Sequence, residues 1–337
     1  MSDRRATAVA CPNIALIKYW GNRDQALRLP SNSSLSMNLG GLTTTTTVEF
    51  DPALKADALS LGGRPIGGAG LDRISRLLDR VRDLCKTFED AEISKVSRTF
   101  ARVDSRNDFP SGTGLASSAS GFAALAVAAS AAAGLTLSEA ALSRLARRGS
   151  GSACRSVPGG FVEWAMGTDD ATSFAQSIAP AEHWDLRDVI AIIDLSHKSV
   201  GSTQGHALAD TSPLQPARVA TAPERLARAR SAVLQRDFAA LAEVVELDSL
   251  MMHAVMITST PSLMYWQPAT VAVMQAVTEW RKEGLSVCTT IDAGPNVHVL
   301  CPGHQAAEVE QRLRAIAGVR AVLAARPGGA ARLIEDT

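Results

Sequence analysis

Four short stretches of this chain carry side chains suited to handling phosphate and protons. "PSGTGLASSASGFAALAVAA" (110–129) runs from a Gly/Ser-rich loop straight into a small-residue helix, with no lysine or arginine. A helix N-terminus presents unpaired N–H groups and the positive end of the macrodipole. Glycines ahead of it let the backbone approach a ligand closely, and serines add hydroxyl donors, so such a stretch can cradle a phosphate without a cation. It is not a Walker A loop, since no Gly-Lys-Ser/Thr follows, nor a dinucleotide fingerprint, since 117 is not glycine, nor a Gly-x-Ser-x-Gly elbow. An N-capped helix packed through small residues is the plain alternative. "NIALIKYWGNRD" (13–24) sets Lys18, Tyr19, Trp20 and Arg23 behind an apolar run, and "GSGSACRSVPGGFVEW" (149–164) is a second small-residue loop bearing Arg155. "DAGPN" (292–296) places a carboxylate at the end of an apolar strand, against a tight turn. Taken singly, Lys18 reads as a surface lysine, Arg155 as a structural ion pair and Asp292 as a turn former. Their occurrence together points to a site.

Periodicity predicts the elements that must position these residues. "TTTTTVEF" (43–50) is a β-branched strand, and Ile74, Leu77, Leu78, Val81 and Leu84 recur at helical spacing over 71–86. A helix over 118–133 is buried nearly all round, and one over 138–151 has Ser138 as N-cap and Gly149 as stop. The run 189–196 suits a central strand, and helices cover 223–236, 238–254 and 268–283. A strand over 285–292 stops at "AGPN", 297–302 is extended again, 304–317 is helical and 319–324 is a last strand. The irregular alternation favours α+β layers over a strict βαβ winding. The polar stretch 167–184 marks the boundary, giving domains 1–183 and 184–337.

Composition narrows the function. A 46% hydrophobic, 20% charged chain of 337 residues has an ordinary globular profile with length to bury a large core. Lys+Arg and Asp+Glu are both 34, so no broad basic field serves nucleic acid or a membrane surface, and an anionic ligand must be gripped locally. Five scattered cysteines show neither zinc spacing nor a CxxC pair, which fits reduced thiols and a cytoplasmic protein. The N-terminus reads as mature sequence, and no segment approaches a membrane span.

"NIALIKYWG", "FPSGTGLASSASGFAAL", "SGSACRS…GGFVEW" and "DAGPN" together resemble the signatures of the mevalonate diphosphate decarboxylases, within the GHMP kinase superfamily. The likeness runs from about residue 8 to about residue 300. It implies a two-domain α+β, GHMP kinase-like fold with ATP and substrate facing each other across an inter-domain cleft. It implies a reaction in which ATP phosphorylates the tertiary 3-hydroxyl of a phosphorylated mevalonate, before phosphate and CO2 are lost. By the same resemblance Asp292 matches the catalytic aspartate, Lys18 a lysine beside the same hydroxyl and Arg155 an arginine for the substrate's carboxylate and phosphate region. Ser105 and Asn107 match positions beside the nucleotide, and Gly114, Leu115, Ala116, Ser117 and Ser118 the phosphate loop. Tyr19, Asn22, Ser152 and the "GSTQG" turn (201–205), with Ser202 and Thr203, match the substrate side, and His206 follows directly on that side. Mg2+ is implied as the partner of ATP, without a dedicated protein cage, and a homodimer is common in such families.

The chain departs from the family pattern in three places. "KYWGKRD" is usual for the diphosphate enzymes, and here Asn22 replaces the second lysine, which moves the expectation toward 5-phosphomevalonate and isopentenyl phosphate. Gly205-His206 stands where Gly-Met is common; His206 is expected as a solvated loop histidine, with phosphate donation or titration near neutrality as alternatives. "PSGTG" replaces "PTAAG", which should keep the cradle. A mevalonate 3-kinase-like enzyme without decarboxylation is the rival activity, and Asp292 argues against it. A ligand sensor that kept the fold would be expected to lose Lys18, Arg155 or Asp292, and all three are present. His253 is expected to be a satisfied core histidine, Trp164, Tyr265 and Trp266 packing residues, and Met251 and Met252 core.

Overall fold

The computed structural model of the chain describes residues 4–109, 117–195 and 201–335. A six-stranded sheet lies in the order Arg332–Ile334, Arg5–Ala10, Thr44–Asp51, Phe100–Asn107, Ala58–Leu61, Arg64–Ile66. Buried Thr44, Thr46, Val48 and Phe50 alternate with half-buried residues along Thr44–Asp51, as a strand with one face on a core requires. That face carries the helices Ala69–Cys85, Ser117–Ala132 and Glu139–Gly149. Ser117–Ala132 has no charged residue in its first or last turn and buries small side chains all round, which lets it lie close against the sheet. Ser138 caps the next helix, its Oγ accepting from the Ala141 N–H at 3.3 Å.

The second sheet has eight strands. Ala175–Ala179, Phe161–Trp164, Ser34–Gly40, Ala321–Pro327, Leu186–Ile192, Val297–Pro302 and Cys288–Thr290 follow in order, and Asn13–Ile17 pairs with Ser34–Gly40 off that path. Strands from both sides of residue 183 meet here, with Arg326 opposite Gly40 and Pro327 opposite Leu39. Helices Gln215–Gln235 and Phe238–Ile257 cover one core of this sheet, and Pro268–Lys282 and Ala306–Arg314 another.

Most predicted elements lie near where periodicity put them, and three differ, the strand expected over 285–292 being only Cys288–Thr290. The helix expected from 223 begins at Gln215 and runs through Pro223. An interior proline removes a helical hydrogen bond and costs roughly 3 kcal/mol, so tertiary bonds from Gln215 and Arg218 to the 18–20 backbone must offset it. The expected turn at 201–205 is instead a helix, Ser202–Leu208. Among the described residues no helix is long and apolar enough to cross a membrane.

Candidate active site

A cavity of about 460 Å³ opens between the two layered units. Lys18, Tyr19, Arg155, Ser152, Ser117, Ser118, Ser202, Thr203, His206 and Asp292 all line it. Residues as far apart as 18 and 292 therefore converge. Lys18 Nζ donates to Asp292 Oδ1 at 2.7 Å, with the lysine side chain 1% exposed and the carboxylate 31%. The ammonium is held in the protein while the carboxylate keeps a face toward the opening.

Local sequence explains the placement. Asn13–Ile17 is a fully buried strand, so the chain delivers Lys18 from the core rather than from the surface. Asp292 follows Cys288–Thr290 and begins a tight turn in which the Gly294 N–H donates to the Asp292 carbonyl at 2.7 Å. Arg155 lies in the short 3₁₀ segment Gly151–Ser156, 3% exposed. Its guanidinium donates to Ser34 Oγ at 2.7 Å and to Asn13 Oδ1 at 3.2 and 3.3 Å. Those partners are neutral, and among the described residues no carboxylate forms an ion pair with it. A buried charge without a counter-ion is costly, so a substrate anion is the natural complement.

Ser117 and Ser118 open the long helix at the cavity wall, and Ser118 Oγ lies 3.4 Å from Ser150 Oγ. Gly114, Leu115 and Ala116 of the expected cradle lie outside the described residues. Ser105 and Asn107 do not line the cavity. Strand pairing commits them elsewhere: Ser105 Oγ lies 2.9 Å from Thr46 Oγ1, and Asn107 Oδ1 accepts from Thr44 Oγ1 at 2.7 Å. Asn22 does not line it either; its Oδ1 accepts from the Tyr19 hydroxyl and its Nδ2 donates to Gln25 Oε1 at 2.8 Å.

His206 corrects the expectation of a solvated loop histidine. It sits within a helix, its ring stacked 4.1 Å from that of Tyr19 and tilted 4.6 Å from that of Trp20, and its Nδ1 accepts from the Gly21 N–H at 3.0 Å. Burial, then the Arg28, Arg218 and Arg155 charges, lower its pKa to about 3, so the ring is neutral near pH 7 and does not titrate there. With Nδ1 accepting, the neutral ring carries its proton on Nε2. His253 is the core histidine expected, 1% exposed, and Met252 is buried yet also lines the cavity.

Two cationic residues escaped the sequence reading. Arg28 lines the cavity from the hairpin between Asn22–Asp24 and Leu29–Pro30, at a φ of 51° that side chains seldom adopt. Burial and the Arg76 and Arg148 charges lower its pKa, and the described residues offer it no ion pair. Arg73 lines the cavity from Ala69–Cys85, donates to the Gly149 carbonyl at 3.2 Å and lies 4.9 Å from the Phe122 ring centre. The stripe Arg73, Arg76, Arg80 at i, i+3, i+7 was a legible signal; Arg28 left none.

Among the described residues no group of three or more His, Cys, Asp or Glu is placed to hold a metal ion. Asp292 and the Ser117 and Ser118 hydroxyls are oxygen donors on the wall, a set that fits Mg2+ carried mainly by phosphate oxygens and water.

Two family models match the chain: the diphosphomevalonate decarboxylase-like N-terminal domain over residues 10–175 and the mevalonate 5-diphosphate decarboxylase C-terminal domain over 188–326. The diphosphomevalonate decarboxylase of Ganoderma lucidum is 40% identical, covering 92% of this chain and 81% of the relative. The human diphosphomevalonate decarboxylase is 38% identical, covering 88% and 77%. A solved complex of MDDEF with MVAPP, AMPPCP and magnesium superposes with a TM-score of 0.90 at 37% identity, covering 98% and 99% of the two chains. The mevalonate diphosphate decarboxylase of Staphylococcus aureus gives 0.91 at 37% identity, covering 98% of each.

Proposed function

The chain belongs to the diphosphomevalonate decarboxylase family, and we propose that Asp292, Lys18 and Arg155 carry its ATP-dependent decarboxylation of a 5-phosphorylated mevalonate. ATP and Mg2+ are its cofactors, as the solved relative with AMPPCP and magnesium supports. The observation that carries the reading is the 2.7 Å contact between Lys18 and Asp292 in a cavity that Arg155 and Ser118 also line.

A tertiary alcohol is a hindered nucleophile, so a carboxylate within hydrogen-bond reach must orient it and accept its proton. Asp292 takes that role. The 3-hydroxyl oxygen attacks the γ-phosphorus as its proton passes to Asp292, the bond to ADP breaks, and Lys18 offsets the charge on the transferring group. The C3–O bond then breaks with its electrons on the departing phosphate. The C1–C2 bond supplies the pair that becomes the C2–C3 double bond, and C1 leaves as CO2. Arg155 holds the carboxylate until that point; its planar fork suits either oxyanion. Main-chain amides and hydroxyls at Ser117 and Ser118 face the nucleotide phosphates. Mg2+, held there by phosphate oxygens with those hydroxyls, would offset polyphosphate charge.

The substrate we favour is 5-phosphomevalonate. The neutral Asn22 amide supports this, because its side chain is committed to Tyr19 and Gln25 and offers no charge to a second phosphate. Arg28 and Arg73 on the cavity wall favour the second reading, 5-diphosphomevalonate. The division into units 1–183 and 184–337 belongs to the same proposal and is supported by family models ending at 175 and starting at 188.

Incubation with ATP, Mg2+ and each mevalonate phosphate, following ADP and CO2 separately, tests the reading. Equal ADP and CO2, with the higher kcat/KM for 5-phosphomevalonate, is expected. ADP with a stable 3-phosphate and no CO2 would assign a kinase instead. A clear preference for the diphosphate would overturn the finer substrate reading.

A further inference from the structure

One helix, Phe238–Ile257, holds both ends of the Lys18–Asp292 pair. Asp248, Ser249, Met252 and His253 fall on one face of it at helical spacing. Asp248, fully buried, accepts the Lys18 backbone N–H on Oδ2 at 2.6 Å and the Arg225 Nε–H on Oδ1 at 2.7 Å. The Lys18 carbonyl is held in turn by Arg218 at 2.8 Å and Asn32 at 3.0 Å. One residue along the helix, Ser249 Oγ accepts the Ile291 N–H at 3.0 Å and lies 3.4 Å from the Ile291 carbonyl. His253 Nε2 donates to that same carbonyl at 3.2 Å. The Ile291 carbonyl, the Asp292 nitrogen and the Asp292 Cα share one planar peptide unit, so fixing the carbonyl fixes the position of the Cα from which the Asp292 side chain departs.

We propose that Ser249 and His253 are positioning residues that set the separation of Lys18 and Asp292, with Asp248 anchoring the lysine from the same helix. The catalytic part of this inference rests on the function proposed above; the geometric part stands without it. Burial keeps His253 neutral, its pKa lowered to about 4, so a single Nε2–H serves the carbonyl near pH 7. The ring also lies 4.9 Å from that of Trp266, a packing contact that phenylalanine would keep while losing the donor. Misplacement of a reacting group by about 1 Å costs on the order of 100-fold in rate, which makes two bonds to a single peptide consequential.

The test compares Ser249→Ala, His253→Phe and His253→Gln with the wild type. The expected result is a kcat lowered about 10- to 100-fold in Ser249→Ala and His253→Phe, with KM for ATP and for the mevalonate phosphate little changed. His253→Gln, which retains an N–H donor, should recover most of the loss, while thermal midpoints stay close to that of the wild type. Wild-type kcat in both donor-deleted variants, or no recovery with glutamine, overturns the proposal. Crystal structures of the same variants read the geometry whatever the substrate: Lys18 Nζ and Asp292 Oδ1 should separate beyond about 3.5 Å, and an unchanged separation also overturns it. A wild type that turns over neither mevalonate phosphate would refute the function alone, leaving the crystallographic comparison to decide the positioning.

Discussion

Asp292→Asn probes the site at its centre, and the structure sets the size of the effect. Removing the carboxylate strands a Lys18 ammonium whose side chain is 1% exposed. Breaking a fully buried pair costs about 3–5 kcal/mol. Asp292 is 31% exposed, so water reaches the ammonium in part and about 3 kcal/mol applies. With an unfolding entropy of about 2.1 cal/mol/K per residue over 337 residues, that is a Tm lower by about 4 °C. Lys18→Met is the opposite case. It deletes the buried charge and leaves a carboxylate that solvent can serve, so Tm should move by about 1 °C or less. Both variants should be poor enzymes, since loss of a general base alone typically costs about 10²–10⁴-fold. Calorimetry together with ADP and CO2 release at saturating substrate reads both quantities, and nucleotide affinity should be unchanged in Asp292→Asn. A kcat above one tenth of wild type in that variant would sink the base assignment, and equal Tm values for the two variants would sink the buried-charge argument.

Stability should fall as the medium is acidified below about pH 6.5. His206 and His253 have pKa values lowered to about 3 and about 4 by burial, so the unfolded chain binds more protons between those values and 6.5, and their contribution is present above 6.5 and lost as pH falls. Denaturation midpoints between pH 7 and 4.5 check this, and a flat profile in wild type would contradict it. Arg28→Gln should raise KM for the mevalonate phosphate by about tenfold or more, the usual size of a hydrogen bond to a charged group, with kcat little changed; initial rates decide, and an unchanged KM places Arg28 outside reach of the anion. Asn22→Lys should raise kcat/KM for the diphosphate relative to the monophosphate by about tenfold, and an unchanged ratio removes residue 22 from the specificity argument.

Much of the fold was visible in periodicity because its helices are amphipathic or compositionally extreme, as with Leu77, Leu78 and Val81 on one face of Ala69–Cys85. The strands Asn13–Ile17 and Ser34–Gly40 were harder, being buried throughout or nearly so, and such strands lose the alternation that marks a half-exposed sheet. The start of Gln215–Gln235 was misread because Pro223 is a sound local signal for a helix beginning, and only contacts with residues 18–20 override it. The site divides in the same way. Lys18, Arg155 and Asp292 were legible through their motifs, whereas Arg28 enters the cavity only through a hairpin, and His206 is half-buried against rings at 19 and 20 that no spacing rule connects to it.

A chain of zero formal charge that handles polyanions must concentrate its cations, and the cavity does this sharply. Lys18, Arg28, Arg73 and Arg155 line it, and among the described residues Asp292 is the one carboxylate on its wall. Burial has stripped water from Arg155 and in part from Arg28 and Arg73, lowering the pKa of each. Partly or fully desolvated cations without a counter-ion are an unfavourable arrangement by themselves. They become favourable when anionic oxygens arrive, because the desolvation has been met during folding rather than at the moment of binding. The same arrangement explains why Asp292 needs Lys18 so near. A lone carboxylate in that field would be drawn toward whichever arginine lay closest, and a 2.7 Å contact with an ammonium anchored through its own backbone keeps it aimed at the opening instead.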